Sequence, residues 1–266
     1  MNITRYLSPL RIWYLLKRES ARRWKDYLIT ISAFCGFYLL GVVIGAKTGG
    51  LDSSLHYSNF GSILFLFGFI FTSTAFREAH KKLLNHDYLM LPASTLEKFV
   101  AKLMFSSVGF AVASVLVYWV FSLIGKLVVE VFLGAYYPDF FIFDKIIWQM
   151  IGHYFILQSI FMLGAVWFRK GNFIRTIISL ILFSIILSVL SSLVAWLVFN
   201  DYFWTFVRGD FNFNIDFSSG FDMQRLEVLG GGVLTLFKII YFGLLAPVCW
   251  FGSWLKLREL EVQDGV

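Results

Sequence analysis

Six long apolar segments, separated by shorter polar ones, dominate the hydrophobic pattern of this 266-residue chain. A bilayer core about 30 Å thick needs roughly 20 helical residues to cross it, and each segment approaches or exceeds that length. None of them alternates apolar and polar residues like a barrel strand, and backbone groups in lipid must be satisfied within the segment. The pattern predicts an all-α fold, a single transmembrane domain over residues 1–266, with spans at about 27–46, 59–76, 103–125, 146–168, 174–199 and 231–255.

An amphipathic segment precedes the first span, within residues 1–26. Aromatic residues at the acyl boundary and basic residues towards anionic lipid are typical of a helix lying in the membrane interface. We therefore predict an N-terminal interfacial helix; the alternative is an ordinary basic flank of the first span. The apolar positions are Leu10, Trp13, Tyr14 and Leu16, and the basic positions, largely on another face, are Arg11, Lys17 and Arg18.

Composition agrees with a membrane protein, because only 15% of residues are charged and 58% are hydrophobic. Seventeen of the 23 Lys and Arg residues lie in the N-terminal segment, the loops after spans 2 and 4, and the C-terminal tail. Basic loops stay in the cytoplasm, so we predict a multi-pass protein of the cell inner (cytoplasmic) membrane with both termini cytoplasmic. The lipid bilayer then accounts for the net charge of +6, and no nucleic acid is expected as a partner.

The predicted spans carry few groups that could perform chemistry. His153 is one, and a packing histidine explains it more simply than a ligand or proton relay. A serine stripe at i, i+4, i+8, formed by Ser184, Ser188 and Ser192, favours close helix packing; with His153 it is our candidate for lining a pathway. The chain lacks HExxH, GxSxG and P-loop motifs, so we expect no catalytic residue, no metal and no enzyme.

One further interpretation of the chain is a lipid-modifying enzyme. It would require a catalytic pair near the membrane interface, and the nearest candidates are His56 and Asp52 in the predicted first outer loop. Ordinary loop residues are the simpler interpretation of both.

The loop between spans 2 and 3 carries the most informative pattern. Proline disfavours helix in the residue before it, so Pro92 predicts a break at Leu91. Ser94 and Glu97 then have the spacing of a capping box, in which the serine caps the helix and the glutamate reaches back. Beyond them the apolar residues share one helical face and the lysines another. The pattern predicts a helix–break–helix elbow at the cytoplasmic surface that transmits a push from a soluble partner into both spans.

The same loop resembles a segment of a known transporter family. The run from Arg77, REAHKKLLNHDYLMLPASTLEKFVAKL, is similar to the loop between the second and third spans of ABC transporter permease subunits of the ABC-2 exporter type. The family pattern often has a Gly-Thr step after the Arg-Glu pair, where this chain has Ala79, His80 and Lys81. The matching positions are Arg77, Glu78, Leu91, Pro92, Ser94, Glu97, Lys98 and Lys102.

The resemblance implies a fold and a function. Permeases of this type have six spans, an N-terminal interfacial helix, and a short coupling helix that docks on a separate P-loop ATPase. By this resemblance the chain forms a substrate pathway with a second permease copy, identical or related, and is coupled to its ATPase through residues 77–102. ATP and Mg²⁺ belong to the partner, so no cofactor is expected in this chain.

The low charge of the spans favours an amphipathic or lipid-like substrate over a small ion. A non-transport scaffold or sensing subunit would dock a soluble partner through the same loop. A stoichiometric P-loop ATPase among co-purifying proteins would favour the permease, and a partner of another kind would favour the scaffold.

Overall fold

The computed structural model describes residues 8–22, 24–48, 53–80, 90–134, 136–198 and 235–264. Every regular element in these ranges is helical. The α-helices are α1 (Pro9–Arg22), α2 (Trp24–Thr48), α3 (Ser53–Ser73), α4 (Arg77–His80), α5 (Thr95–Met104), α6 (Phe110–Val128), α7 (Lys145–Trp167), α8 (Asn172–Val198) and α9 (Leu245–Asp264). Three π-helical segments also occur, at Phe105–Gly109, Val129–Leu133 and Ile240–Leu244.

Six of the described helical stretches are long and apolar enough to cross a membrane, which confirms the prediction of a six-span, all-helical chain. They are Tyr27–Gly45, Ser54–Ser73, Thr95–Val131, Lys145–Trp167, Asn172–Leu193 and Thr235–Val262. The structure comprises two compact units, one formed by Met1–Phe173 and Leu245–Val266 and the other by Ile174–Leu244.

The second span differs from its predicted bounds at both ends. Helix α3 begins at Ser53, whereas the sequence predicted a start near residue 59. His56 therefore lies inside a helix rather than in an outer loop, and Asp52 falls outside the described residues. The helix ends at Ser73, short of the predicted residue 76. There the Thr74 hydroxyl and the Ala75 N–H donate hydrogen bonds to carbonyls of the preceding turn, which replaces the regular helical pattern.

The third span is longer than predicted and includes the predicted elbow helix. Helix α5 continues through the π-helical segment Phe105–Gly109 into α6, so that Thr95–Val131 forms one 37-residue helical stretch. The stretch closes after a second π-helical segment at Gly134, whose φ of 61° suits a residue without a side chain. The break of the predicted elbow thus lies before Ser94, and the capped helix is the first part of span 3.

The core of the first unit is mainly aromatic and lies between α2, α3, α6 and α7. Tyr154 of α7 is fully buried there; its ring stacks with Phe69 of α3 and is tilted against Phe110 of α6. Its hydroxyl donates to the Ser106 carbonyl at 2.9 Å, inside the π-helical segment. A π-helical turn disturbs the regular carbonyl pairing of a helix, and a side-chain donor compensates for this within the membrane span.

In the second unit, α8 presents apolar side chains around most of its circumference. Ile178, Phe183 and Ile186 are all at least half exposed. A helix that is apolar on every side suits a hydrocarbon surrounding rather than water.

Candidate functional site

Helix α5 begins at the capping box that the sequence predicts. The Ser94 hydroxyl accepts the Glu97 N–H at 3.2 Å, and the Glu97 carboxylate accepts the Ser94 N–H at 2.9 Å. Glu97 is completely buried, and its second oxygen accepts the backbone N–H of Ser8 at 2.7 Å. The Arg11 guanidinium lies 3.5 Å from the same carboxylate. One side chain therefore both starts α5 and binds α1 to it.

Lys102 lies one turn and a half further along α5 and is also buried. Its ammonium group is 3.1 Å from the Glu19 carboxylate of α1 and 3.9 Å from the Glu78 carboxylate of α4. Glu78 in turn lies 3.4 Å from the Arg22 guanidinium at the end of α1. The ammonium also sits 5.9 Å from the centre of the Phe76 ring. These contacts join α1, α4 and α5.

Lys98 connects α5 to the last helix. Its ammonium group is 3.2 Å from the Glu261 carboxylate of α9, and only 5% of the lysine side chain is exposed. The Thr95 hydroxyl donates a short hydrogen bond to the other oxygen of the same carboxylate. Glu261 therefore ties the first turn of α5 to α9.

These residues form a set that we call the ion-pair cluster. Within the described part of the chain it contains four cations and four carboxylates, so its formal charges balance. Removing one member of a buried pair leaves an uncompensated charge, which typically costs about 3–5 kcal/mol. The members are Arg11, Glu19, Arg22, Glu78, Glu97, Lys98, Lys102 and Glu261.

A small apolar core lies beneath the ion-pair cluster. Phe76, Phe99 and Leu257 are buried in it, and they belong to the segment after α3, to α5 and to α9. Phe76 and Phe99 stack with their ring planes 12° apart. Excluding water from this layer strengthens the ion pairs above it, since electrostatic attraction increases as the local dielectric falls.

The structure brings together five of the residues matched by the transporter resemblance. Glu78, Ser94, Glu97, Lys98 and Lys102 all belong to the cluster or cap its central helix. The remaining three lie around its edge: Arg77 and Pro92 are exposed, and Leu91 is half-buried against the small apolar core.

The residues predicted to line a pathway lie elsewhere. Ser184, Ser188 and Ser192 are exposed along α8, in the second unit. His153 is half-buried on α7. None of these four belongs to the ion-pair cluster.

Sequence reasoning missed the cluster members outside the loop, namely Glu19, Arg22, Glu261 and the role of Arg11. One signal was present in α1. Glu19 is the only acidic residue of Pro9–Arg22, and it shares the apolar side formed by Ile12, Leu15 and Leu16. A carboxylate on the apolar side of a basic helix indicates a buried cationic partner. No comparable signal marked Glu261.

A second buried polar set lies at the opposite end of the first unit. His56 is 2% exposed; one ring nitrogen lies 3.1 Å from the Tyr118 hydroxyl and the other 2.9 Å from the Pro138 carbonyl. Tyr137 is fully buried beside them, its hydroxyl 2.9 Å from that of Tyr38, and burial raises the pKa of Tyr137. Both His56 nitrogens are thus engaged, one with Tyr118 of α6 and the other with Pro138 of the 136–144 segment, as expected for a structural histidine.

Asp144 fastens the end of the same segment. Its carboxylate accepts the N–H of Ile146 at 3.3 Å and caps α7, while the Tyr57 hydroxyl donates to its other oxygen. The Tyr57 hydrogen bond, followed by backbone hydrogen bonds, holds the pKa of Asp144 below its usual value. Among the described residues, no group of three His, Cys, Asp or Glu side chains could hold a metal ion.

In the comparisons with known proteins, no family model, no curated protein and no solved structure matches this chain.

Proposed function

We propose that this chain is the membrane-spanning permease subunit of an ATP-driven exporter of the ABC-2 kind. In this proposal the basic end faces the cytoplasm, a second permease copy completes the substrate pathway, and a separate P-loop ATPase binds ATP and Mg²⁺. The observation that carries the proposal is the ion-pair cluster. It links the resemblance-matched segment to two other parts of the chain, α1 and α9, at the end of the bundle where a cytoplasmic ATPase would dock.

Continuity of the third span supports mechanical coupling. A displacement applied at Ser94 acts on a helical stretch that runs without interruption from Thr95 to Val131. The π-helical segments Phe105–Gly109 and Val129–Leu133 change the regular hydrogen bonding of this stretch, and π-helical turns are frequent at functional sites. The stretch is long enough to carry movement from the basic end across the bilayer.

The division between exposed and buried residues assigns two roles within 77–102. Pro92 and Met90 are exposed, Met90 by 69%, so they are available to contact an ATPase. Glu97, Lys98 and Lys102 are almost completely buried and hold α1, α4 and α9. The ATPase would contact the exposed residues Met90 and Pro92 and displace them. The buried ion-pair cluster would make α1, α4 and α9 move with α5. A partner with two states that contact Met90 and Pro92 differently then biases the permease between two conformations.

Site-specific photo-crosslinking tests the proposal directly. A photoreactive p-benzoylphenylalanine in place of Met90 is expected to capture a P-loop ATPase in native membranes. The matched control places the same residue at Phe143, which is 87% exposed at the opposite end of the unit. Capture of an ATPase from position 90 alone supports the permease; no ATPase from position 90, or equal capture from both positions, contradicts it.

A scaffold or sensing subunit is the second candidate, and one observation favours it. The ion-pair cluster is complete within this chain, so the basic end is already formed and can serve as a fixed platform. The same experiment separates the candidates: the scaffold predicts a cross-linked partner at position 90 that contains no P-loop.

A further inference from the structure

An apolar groove of about 460 Å³ lies in the first unit, and no member of the ion-pair cluster lines it. Its walls come from α1, α2, the end of α3 and the α5–α6 stretch. Its volume falls in the range of about 300–1,000 Å³ that is usual for small-molecule sites. We propose that the groove binds one acyl chain of an anionic phospholipid, with the headgroup held beside Lys17 and Lys25. This inference requires only that the chain spans a bilayer and holds whether or not it transports anything.

The chemistry of the walls selects hydrocarbon. Phe34, Phe71 and Val117 line the inner wall, and the few polar groups among the lining residues are mainly hydroxyls. An apolar cavity of this kind stays dry and binds apolar molecules in preference to water. In a bilayer the available apolar molecule is a lipid tail.

The groove is open along one side of the helical bundle. Ile31 of α2 and Met104 and Val108 of the α5–α6 stretch line it, yet each is more than a third exposed. A lipid tail can therefore enter sideways from the surrounding bilayer, and no helix has to move.

The groove is long enough to cover the hydrocarbon part of one leaflet. It extends along span 3 from Met104 to Val117. At 1.5 Å per residue this distance is about 20 Å, about two thirds of a hydrocarbon core about 30 Å thick. The groove thus accommodates one tail from one leaflet, reaching from the interface towards the middle of the membrane.

The residues at the rim of the groove indicate which kind of lipid headgroup binds there. Leu16 and Ser20 of α1 form the rim, and the exposed Lys17 is one helical turn from Ser20, where side chains are neighbours. Lys25 is exposed in the first turn of α2, and its ammonium group lies 5.9 Å from the Trp24 ring centre. Tryptophan marks the level of the lipid headgroups, and two lysines at that level favour an anionic headgroup.

The first test uses the unaltered chain in vesicles of phosphatidylglycerol and phosphatidylcholine. A phosphatidylglycerol with a diazirine near the end of its tail is cross-linked and the labelled residues are identified by mass spectrometry. Labelling is expected to be stronger on Val108 and Val117, which line the groove, than on Val112, an exposed α6 residue outside it that only bulk lipid reaches. Equal labelling of Val112 would overturn the site. This measurement requires no variant to fold.

The second test fills the groove. Ala113→Trp places an indole in it, and Ala33→Trp adds the same bulk on an exposed part of α2 that does not line it. Native mass spectrometry counts the phosphatidylglycerol that each purified protein retains. Ala113→Trp is expected to lower retention about tenfold, with Ala33→Trp unchanged. Equal retention by the two variants would overturn the proposal.

A third test addresses the proposed binding of an anionic headgroup by Lys17 and Lys25. The double variant Lys17→Gln, Lys25→Gln is expected to lose most of the preference for phosphatidylglycerol over phosphatidylcholine while still retaining lipid. An unchanged preference would overturn the role of the two lysines. Equal binding of both lipids by the unaltered chain would overturn the anionic headgroup.

Discussion

At the scale of single residues, Gly68 determines how closely α3 and α7 approach. A Cβ atom at this position would lie 2.9 Å from Cζ of the Tyr154 ring and 3.0 Å from Cε1 of the Phe110 ring. Both neighbours are rigid aromatic rings in a packed core, so neither yields at low cost. The same tyrosine donates to the Ser106 carbonyl in the π-helical segment. One absent methyl group therefore allows both the helix contact and that hydrogen bond.

Gly68→Ala is expected to destabilise the protein by about 1–3 kcal/mol, because it overpacks the core and displaces the Tyr154 hydroxyl. Thermal unfolding of the detergent-purified protein measures the loss as a lower Tm.

The matched control is Gly152→Ala on α7, where an added Cβ would meet nothing within 4 Å. Alanine has the higher helix propensity, so this variant is expected to be neutral or slightly more stable. Similar Tm losses in both variants would contradict the role of Gly68.

Sequence reasoning succeeded at this scale wherever the partner is close along the chain. Ser94 and Glu97 are three residues apart, and the capping box between them could be predicted. The further bond of Glu97 to Ser8 joins residues 89 apart, and no local pattern marks it. Lys98 was likewise predicted to lie on a polar helical face, whereas it is buried against Glu261.

At the scale of elements, α9 is fastened to α5 at one end and packs along α7. The Lys98–Glu261 pair and the Thr95 hydrogen bond make the first of these contacts. Leu257, one turn before Glu261 in α9, and Leu260, directly before it, are buried in the apolar core beneath. Apolar burial supplies most of the attraction, and the ion pair fixes the register of the two helices.

Exchanging the two charges tests that register. Glu261→Lys alone brings two cations together in a mostly buried site and is expected to lower stability by about 3–5 kcal/mol. The double variant Lys98→Glu, Glu261→Lys restores opposite charges and is expected to recover about 1–3 kcal/mol. Tm values of the wild type, both single variants and the double variant give the coupling energy.

A control pair lies on the same helix. Lys256 and Glu259 are 2.8 Å apart but much more exposed, so exchanging them is expected to change stability by less than about 1 kcal/mol. Additive effects of the two single substitutions at 98 and 261 would contradict a specific pair.

The elements could be predicted better than their ends. All six spans could be predicted from the length of the apolar segments alone, because a helix that crosses a bilayer needs about 20 apolar residues. The start of α3 could not be predicted in this way, since the polar residues from Ser53 to Asn59 are typical of a loop. Two of them, His56 and Asn59, are buried in the fold, and His56 is hydrogen-bonded to parts of the chain more than 60 residues away. Tertiary contacts there override the local polarity.

At the scale of the whole molecule, the described parts of the chain agree with an even number of spans. Helix α1 and the end of α9 meet α5 at the same end of the first unit. The excess of Lys and Arg at this end is the basis for proposing that it faces the cytoplasm.

Topology reporters test the orientation. Green fluorescent protein fused after residue 264 is expected to fluoresce, and alkaline phosphatase fused there is expected to be inactive, because the end of α9 is cytoplasmic in the proposal. The comparison site is Phe143, at the opposite end of the unit, where alkaline phosphatase is expected to be active. The reversed pattern would contradict the orientation.

The link between Lys98 and Glu261 also has a consequence for synthesis. The two residues are 163 positions apart, so a nascent chain that has already inserted span 3 still lacks the carboxylate that neutralises its lysine. Large proteins assemble progressively as they are made, and incomplete intermediates expose surfaces that are later covered. The contact between α5 and α9 therefore forms only after α9 has been translated, and a chain that terminates before Glu261 cannot make it.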